Sequence, residues 1–179
     1  MPIRMNEFRM PRYREIPDVG LYLDQTVKYI NRFLEPLSME ITASMVSNYV
    51  KKGYISNPVR KQYNAEQIAR LFFIAIVKSA ISMDNIGQLF EMQRRSYELP
   101  CAYDFFCDEL EAVLAYTFDL REALPPIGDQ PTVPKQMLCS VITAISNIIY
   151  LSSCFERIQY SGEMGQLQFP VLTAQCRIE

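Results

Sequence analysis

The chain has 179 residues, about half of them apolar, and a formal net charge of −2 from 18 basic and 20 acidic residues. That suits one domain of moderate size or two small ones with a real core, and it excludes a whole-surface attraction to nucleic acid or membrane. With no histidine and only six glycines, the chain lacks the commonest acid–base group, the commonest transition-metal ligand, a phosphate-cradling loop and a nucleophile elbow, so no enzyme, cofactor or metal site is expected.

Five cysteines, an odd count without a C-x-x-C pair, and an N-terminus charged from Arg4 with no apolar signal core predict a reduced, cytoplasmic protein. Charge is unevenly distributed. Residues 42–70 hold Lys51, Lys52, Arg60, Lys61 and Arg70 against Glu66 alone, whereas residues 101–130 are acidic, with Arg121 alone opposing. A basic segment followed by an acidic one suits local nucleic-acid contact without general stickiness.

Residues 1–20 interleave Arg4, Arg9, Arg12 and Arg14 with aromatic residues and prolines. They read as an extended arm that either touches a DNA backbone or frays or docks against the domain. Leu23, Val27, Ile30 and Leu34 share one stripe of a helix from Leu21 to about Leu34, which Glu35-Pro36 ends.

The segment 41–63 carries the functional signal. Thr42 is an N-cap, Ile41 and Val46 stand at staple positions, and Gly53 supplies a left-handed stop to a helix over 43–52. Met45, Val46, Tyr49 and Val50 share one face of that helix, and Ser44, Ser47, Asn48 and Lys51 share the opposite one. The polar face can lie in a major groove, with Asn48 facing adenine and the lysines facing phosphate or guanine, although an ordinary surface helix shows the same pattern. A turn is expected at Ser56-Asn57-Pro58, followed by a basic return through Arg60, Lys61 and Tyr63 that either projects as a reduced wing or is a plain loop.

Asn64 with Gln67 forms a capping box, and the helix it opens runs to about Ala80 through LFFIAIV, apolar on nearly every side. Ser82 caps the next helix, with Ile81 and Ile86 as staple and Leu89 and Phe90 facing the core. A helical, acidic stretch over 101–124 precedes the break PPIGDQPTVP. Beyond it a long helix from about Lys135 to Arg157 has no charge between Gln136 and Phe155, enough for a membrane span. Its polar line of Ser140, Thr143, Asn147 and Tyr150 fits a buried dimer helix or a pocket wall better. Residues 166–174 suggest a short edge strand.

Ile41-Thr42, Asn48-Tyr49, Lys52-Gly53-Tyr54-Ile55, Pro58, Tyr63, Ile68 and the run Ser82 to Ile86 leading to Leu89-Phe90 resemble MerR-type winged helix-turn-helix regulators over about residues 41–92. Across a greater length, including LYLDQTVKYIN, the chain is similar to a bacterial family defined as a domain of unknown function, number eighteen thirty-six. With the MerR likeness, the chain reads as a mainly α fold: an N-terminal arm (1–20), a winged helix-turn-helix domain (21–95) that the likeness implies, and a helical dimerisation or effector region with a short terminal strand (96–179). The likeness implies a transcriptional regulator that binds duplex DNA as a homodimer, with Thr42, Ser44, Ser47, Asn48, Lys51, Lys52, Arg60, Lys61 and Tyr63 as the contact surface. Ser44 and Ser47 replace basic residues of that family, Asn48 replaces its first aromatic, and the wing is shorter. Lys51, Lys52, Arg60 and Lys61 are then left as backbone contacts. Two alternatives stand beside this reading. One is a protein-interaction module that kept the scaffold and lost DNA. The other is a small-molecule or metal sensor in the second half, with Cys101 and Cys107 either binding a soft metal or simply buried.

Overall fold

The structure, a computed structural model, describes residues 8–120, 122–124 and 132–161. It is mainly helical, with six α-helices and one two-stranded sheet among the described residues. The expected strand over 166–174 lies outside them.

The N-terminal arm is docked. Met10 is fully buried, and its N–H donates to Glu111 Oε1 at 2.7 Å. Arg12 meets the same carboxylate with both guanidinium nitrogens, at 2.7 and 2.8 Å, and Asp108 at 2.6 Å. The Tyr13 N–H donates to Asp104 at 2.7 Å. Part of the acidic character of residues 101–130 therefore answers the arm, and Arg12 is withdrawn from any DNA backbone. Arg9 is likewise paired, with Glu15 at 2.9 Å.

Strand β1 (Leu21–Tyr22) takes two residues expected to be helical. Gly20 turns the chain at φ +78°, where a Cβ would stand 3.1 Å from the Gln62 Cβ. Leu21 and Tyr22 then pair antiparallel with Tyr63 and Gln62 of β2 (Gln62–Tyr63). Helix α1 (Leu23–Leu34) starts there, with Gln25 Oε1 accepting from the Tyr22 N–H. It buries Thr26, Ile30 and Leu34. Its Asn31 holds Ile41 through two hydrogen bonds, at 2.9 and 2.8 Å, and so fixes the approach to α2 (Ala43–Lys51).

Helix α3 (Ala65–Val77) is the centre of the core, with ten of its thirteen residues buried. Its sequence leaves no polar face wide enough for solvent, so neighbours must cover it on all sides. Phe72 packs with Tyr29 and Phe33 of α1, and Phe73 with Phe90 of α4 (Met83–Ser96) and Phe106 of α5 (Leu99–Thr117). Helix α5 starts with Pro100 in its first turn and stops at Thr117, short of the expected end, where Asp119 adopts φ +58°. The capping box opening α3 is present in both directions, Asn64 to Gln67 at 2.8 and 2.9 Å. The Gln67 amide also donates to the Ser56 carbonyl at 2.8 Å. Gln67→Ala should therefore cost about 2 kcal/mol by urea denaturation, more than an ordinary cap, because it removes part-buried bonds to both the Asn64 N–H and the Ser56 carbonyl. An unchanged midpoint would show that the bond to Ser56 carries nothing.

Helix α6 (Val133–Ser161) packs on α5, α4 and α3. Ile142, Ile145, Ser146 and Ile149 enter the core, while Leu151 and Phe155 stay 52% and 57% exposed. By length and apolar composition Val133–Gln159 is enough to cross a membrane, with mean hydropathy 1.7. One buried cluster runs from Met10 to Ile149 and takes residues from all three segments drawn from the sequence.

Candidate nucleic-acid interface

Helix α2 exists because its ends are closed locally and one face is held. Thr42 Oγ1 accepts from the Met45 N–H at 3.2 Å. At the other end Gly53 takes φ +79°, and the Tyr54 N–H donates back to the Tyr49 carbonyl at 3.0 Å. Gly53 has open space around its missing Cβ, so backbone conformation alone explains the residue. Val46 and Tyr49 are buried, and Ile41 packs beneath them as the staple residue.

The opposite face is open. Thr42, Ser44, Ser47, Asn48, Lys51 and Lys52 are all exposed. Thr42 is occupied as the cap; the other five side chains have no hydrogen-bond or ion-pair partner among the described residues. The geometry thus gathers a continuous polar strip ending in two uncompensated cations.

The reversal expected at Ser56-Asn57-Pro58 falls instead on Arg60 and Lys61. Val59 and Gln62 exchange backbone hydrogen bonds at 3.1 and 2.9 Å, closing a two-residue turn. Both turn residues are left-handed, with φ +50° for Arg60 and +64° for Lys61. Turns of this form ordinarily carry Asn-Gly, and holding two long L-residues there costs about 1–2 kcal/mol each. Both side chains are exposed, neither has an ion-pair partner among the described residues, and Val59 beside them is 73% exposed. A strained turn that presents two cations and an apolar residue to solvent has no packing reason. The sequence signal for it, a turn built on basic residues, is one that residue preference conceals.

Two residues named above turn inward. Tyr63 is only 4% exposed, because its alternation with Gln62 in β2 sends it into the core. Arg70, counted above among the basic residues, is buried, bonded to Glu66 at 3.1 Å and lying 4.9 Å over the Phe90 ring. Of the basic residues in 42–70, Lys51, Lys52, Arg60 and Lys61 are thus the exposed ones without an ion-pair partner among the described residues.

Cys101 is exposed and Cys107 buried, where loss of solvation pushes its thiol up to about 12. No cluster of three potential ligands occurs among the described residues.

No curated protein and no solved structure matches this chain. A family model does, over residues 11–106, which run from the docked arm through α4 into α5 and leave α6 outside. The protein belongs to the family described as domain of unknown function DUF1836.

Proposed function

We propose that this protein is a DNA-binding transcriptional regulator of winged helix-turn-helix form. In this reading α2 is the helix set against the duplex, the Arg60-Lys61 turn is the wing, and α6 joins two copies. The observation that carries it is the set of four exposed cations without ion-pair partners among the described residues, two at the end of a capped polar helix and two on a strained turn. Ser44, Ser47 and Asn48 supply short hydrogen-bonding groups where longer basic side chains would read guanine, so phosphate contact dominates affinity.

The dimer part rests on α6. Met137, Val141, Ala144, Ile148, Leu151 and Phe155 recur at alternating steps of four and three, the spacing of a helix–helix seam. Val141 is half-buried and the others are exposed. No charge interrupts the helix between Gln136 and Phe155. Charge depletion of that kind marks the centre of an interface better than hydrophobicity does.

Fluorescence anisotropy with a random-sequence duplex, at two salt concentrations, tests the DNA reading. Wild type should bind with steep salt dependence. Lys51→Ala with Arg60→Ala should reduce the log–log salt slope by about 2 per bound copy, about 4 for the dimer, and weaken binding on every sequence alike. Equal slopes for the two proteins, or no binding at low salt, would remove DNA and leave a protein-interaction module on the same scaffold.

A further inference from the structure

A cavity of about 180 Å³ lies among α3, α4, α5 and α6, and nothing in the fold accounts for it. Well-packed interiors rarely leave space larger than a water molecule. Its walls are almost wholly apolar and include Phe73, Phe90, Phe106 and Leu138. The rings of Phe73 and Phe90 stand 5.5 Å apart and those of Phe73 and Phe106 4.9 Å apart, so the aromatic side is stiff.

Three polar groups among the lining residues lack a full set of partners: the Tyr103 hydroxyl, which is buried without a hydrogen bond among the described residues, Gln93 and Lys135. Gln93 donates through Nε2 to the Tyr97 carbonyl at 2.7 Å, which fixes the orientation of its amide. Its Oε1 is then buried with no hydrogen-bond partner, a costly state unless something donates to it. Lys135 places its ammonium 5.7 Å from the centre of the Tyr97 ring and 5.6 Å from that of Phe105, and makes no ion pair among the described residues. The other cation on the lining, Arg70, is already neutralised by Glu66. The site thus includes the Gln93 acceptor awaiting a donor, the Lys135 cation awaiting an anion, a buried tyrosine hydroxyl, and an aromatic wall.

We propose that this cavity binds a small monocyclic aromatic carboxylate that also carries a hydrogen-bond donor, a hydroxybenzoate in chemical class. Size sets one ring, because a cavity of about 150 Å³ lined by apolar side chains holds benzene. The ring stacks among the phenylalanines, the hydroxyl donates to Gln93 Oε1, and the carboxylate faces Lys135. Cys101 lines the same cavity and is exposed, so the space opens to solvent beside it. Occupation would also brace α3 and α4 against α5 and α6, the elements that join the basic surface to the proposed dimer helix. Ligand binding itself does not depend on the DNA reading, and the two fail separately.

The test is calorimetric titration of the full chain, without DNA, with 4-hydroxybenzoate, benzoate and phenol. Wild type should bind 4-hydroxybenzoate about tenfold or more tightly than benzoate, which leaves Gln93 unpaired. Phenol, lacking the charge, should also be weaker. Gln93→Leu should abolish the advantage over benzoate, and Lys135→Met the advantage over phenol, with circular dichroism showing both variants folded. A second readout is alkylation of Cys101 in a Cys176→Ser chain. Cys107, Cys139 and Cys154 are buried, and burial pushes the Cys139 thiol up to about 11, so Cys101 is the reactive thiol among the described cysteines. Bound 4-hydroxybenzoate should slow its alkylation at least severalfold. No heat and no protection at millimolar ligand, or the same three affinities in wild type and both variants, would overturn the assignment.

Discussion

Alanine at Glu111 is expected to destabilise the protein by about 3 kcal/mol, which lowers Tm by roughly 6–12 °C for a chain of this size. The carboxylate accepts from the Met10 N–H and from both terminal nitrogens of Arg12, all within 2.8 Å. Both side chains of the pair are only a little over one-fifth exposed. Removing the acid leaves a part-buried guanidinium facing Asp108 alone and a backbone N–H without its acceptor. An arginine stays protonated at any accessible pH, so the guanidinium cannot shed its charge to relieve the loss. Met10 is fully buried at the same point, so release of the arm exposes an apolar side chain as well. Chemical denaturation gives the magnitude, and trypsin gives the place: cleavage after Arg12 and Arg14 should become fast in the variant while α3 stays protected. A Tm within about 2 °C of wild type, equivalent to less than 1 kcal/mol, would mean that the arm is held by Met10 and Tyr13 alone.

Replacing Leu151 and Phe155 together by glutamate should turn a dimer into a monomer. These are the two most exposed large apolar residues of the seam on α6. The stripe from Met137 to Phe155 is about 27 Å long at the helical rise, long enough for two copies to bury a surface of ordinary interface size along it. Burial of each side chain contributes roughly 2 kcal/mol, and an interfacial carboxylate without a partner adds a desolvation cost. Together these weaken association by at least about a thousandfold. Sedimentation across a concentration series reads the change, and circular dichroism checks that α6 stays helical. DNA affinity should fall with it, since two half-sites are then bound independently. Wild type that sediments as a monomer would sink the dimer reading. Co-sedimentation of that monomer with neutral lipid vesicles, lost in the variant, would assign the face to a membrane instead, in keeping with the length and apolarity of the helix.

What the amino-acid sequence by itself determined is whatever depends on neighbours a few residues away. Thr42, Asn64 with Gln67, and Ser82 each cap the helix expected of them, since a cap is a bond between residues three apart. The periodic apolar faces of α1 and α2 and the all-round burial of α3 were legible for the same reason. So was membership of a family, which is a likeness of sequence.

The tertiary structure decided the rest, wherever the partner lies far along the chain or the backbone departs from residue preference. Arg12 and Glu111 are ninety-nine residues apart, and nothing local distinguishes a docked arginine from a free one. Tyr63 went inward and Gln62 stayed at the surface because pairing with Leu21 and Tyr22 set the register of β2, a choice made between distant strands. Ser56-Asn57-Pro58 has the residues of a turn, yet the chain turns at Arg60-Lys61, where closure between Val59 and Gln62 outweighs the cost of two left-handed residues. The unpartnered Gln93 oxygen and the cavity it lines arise from the meeting of four helices, so no stretch of sequence contains them.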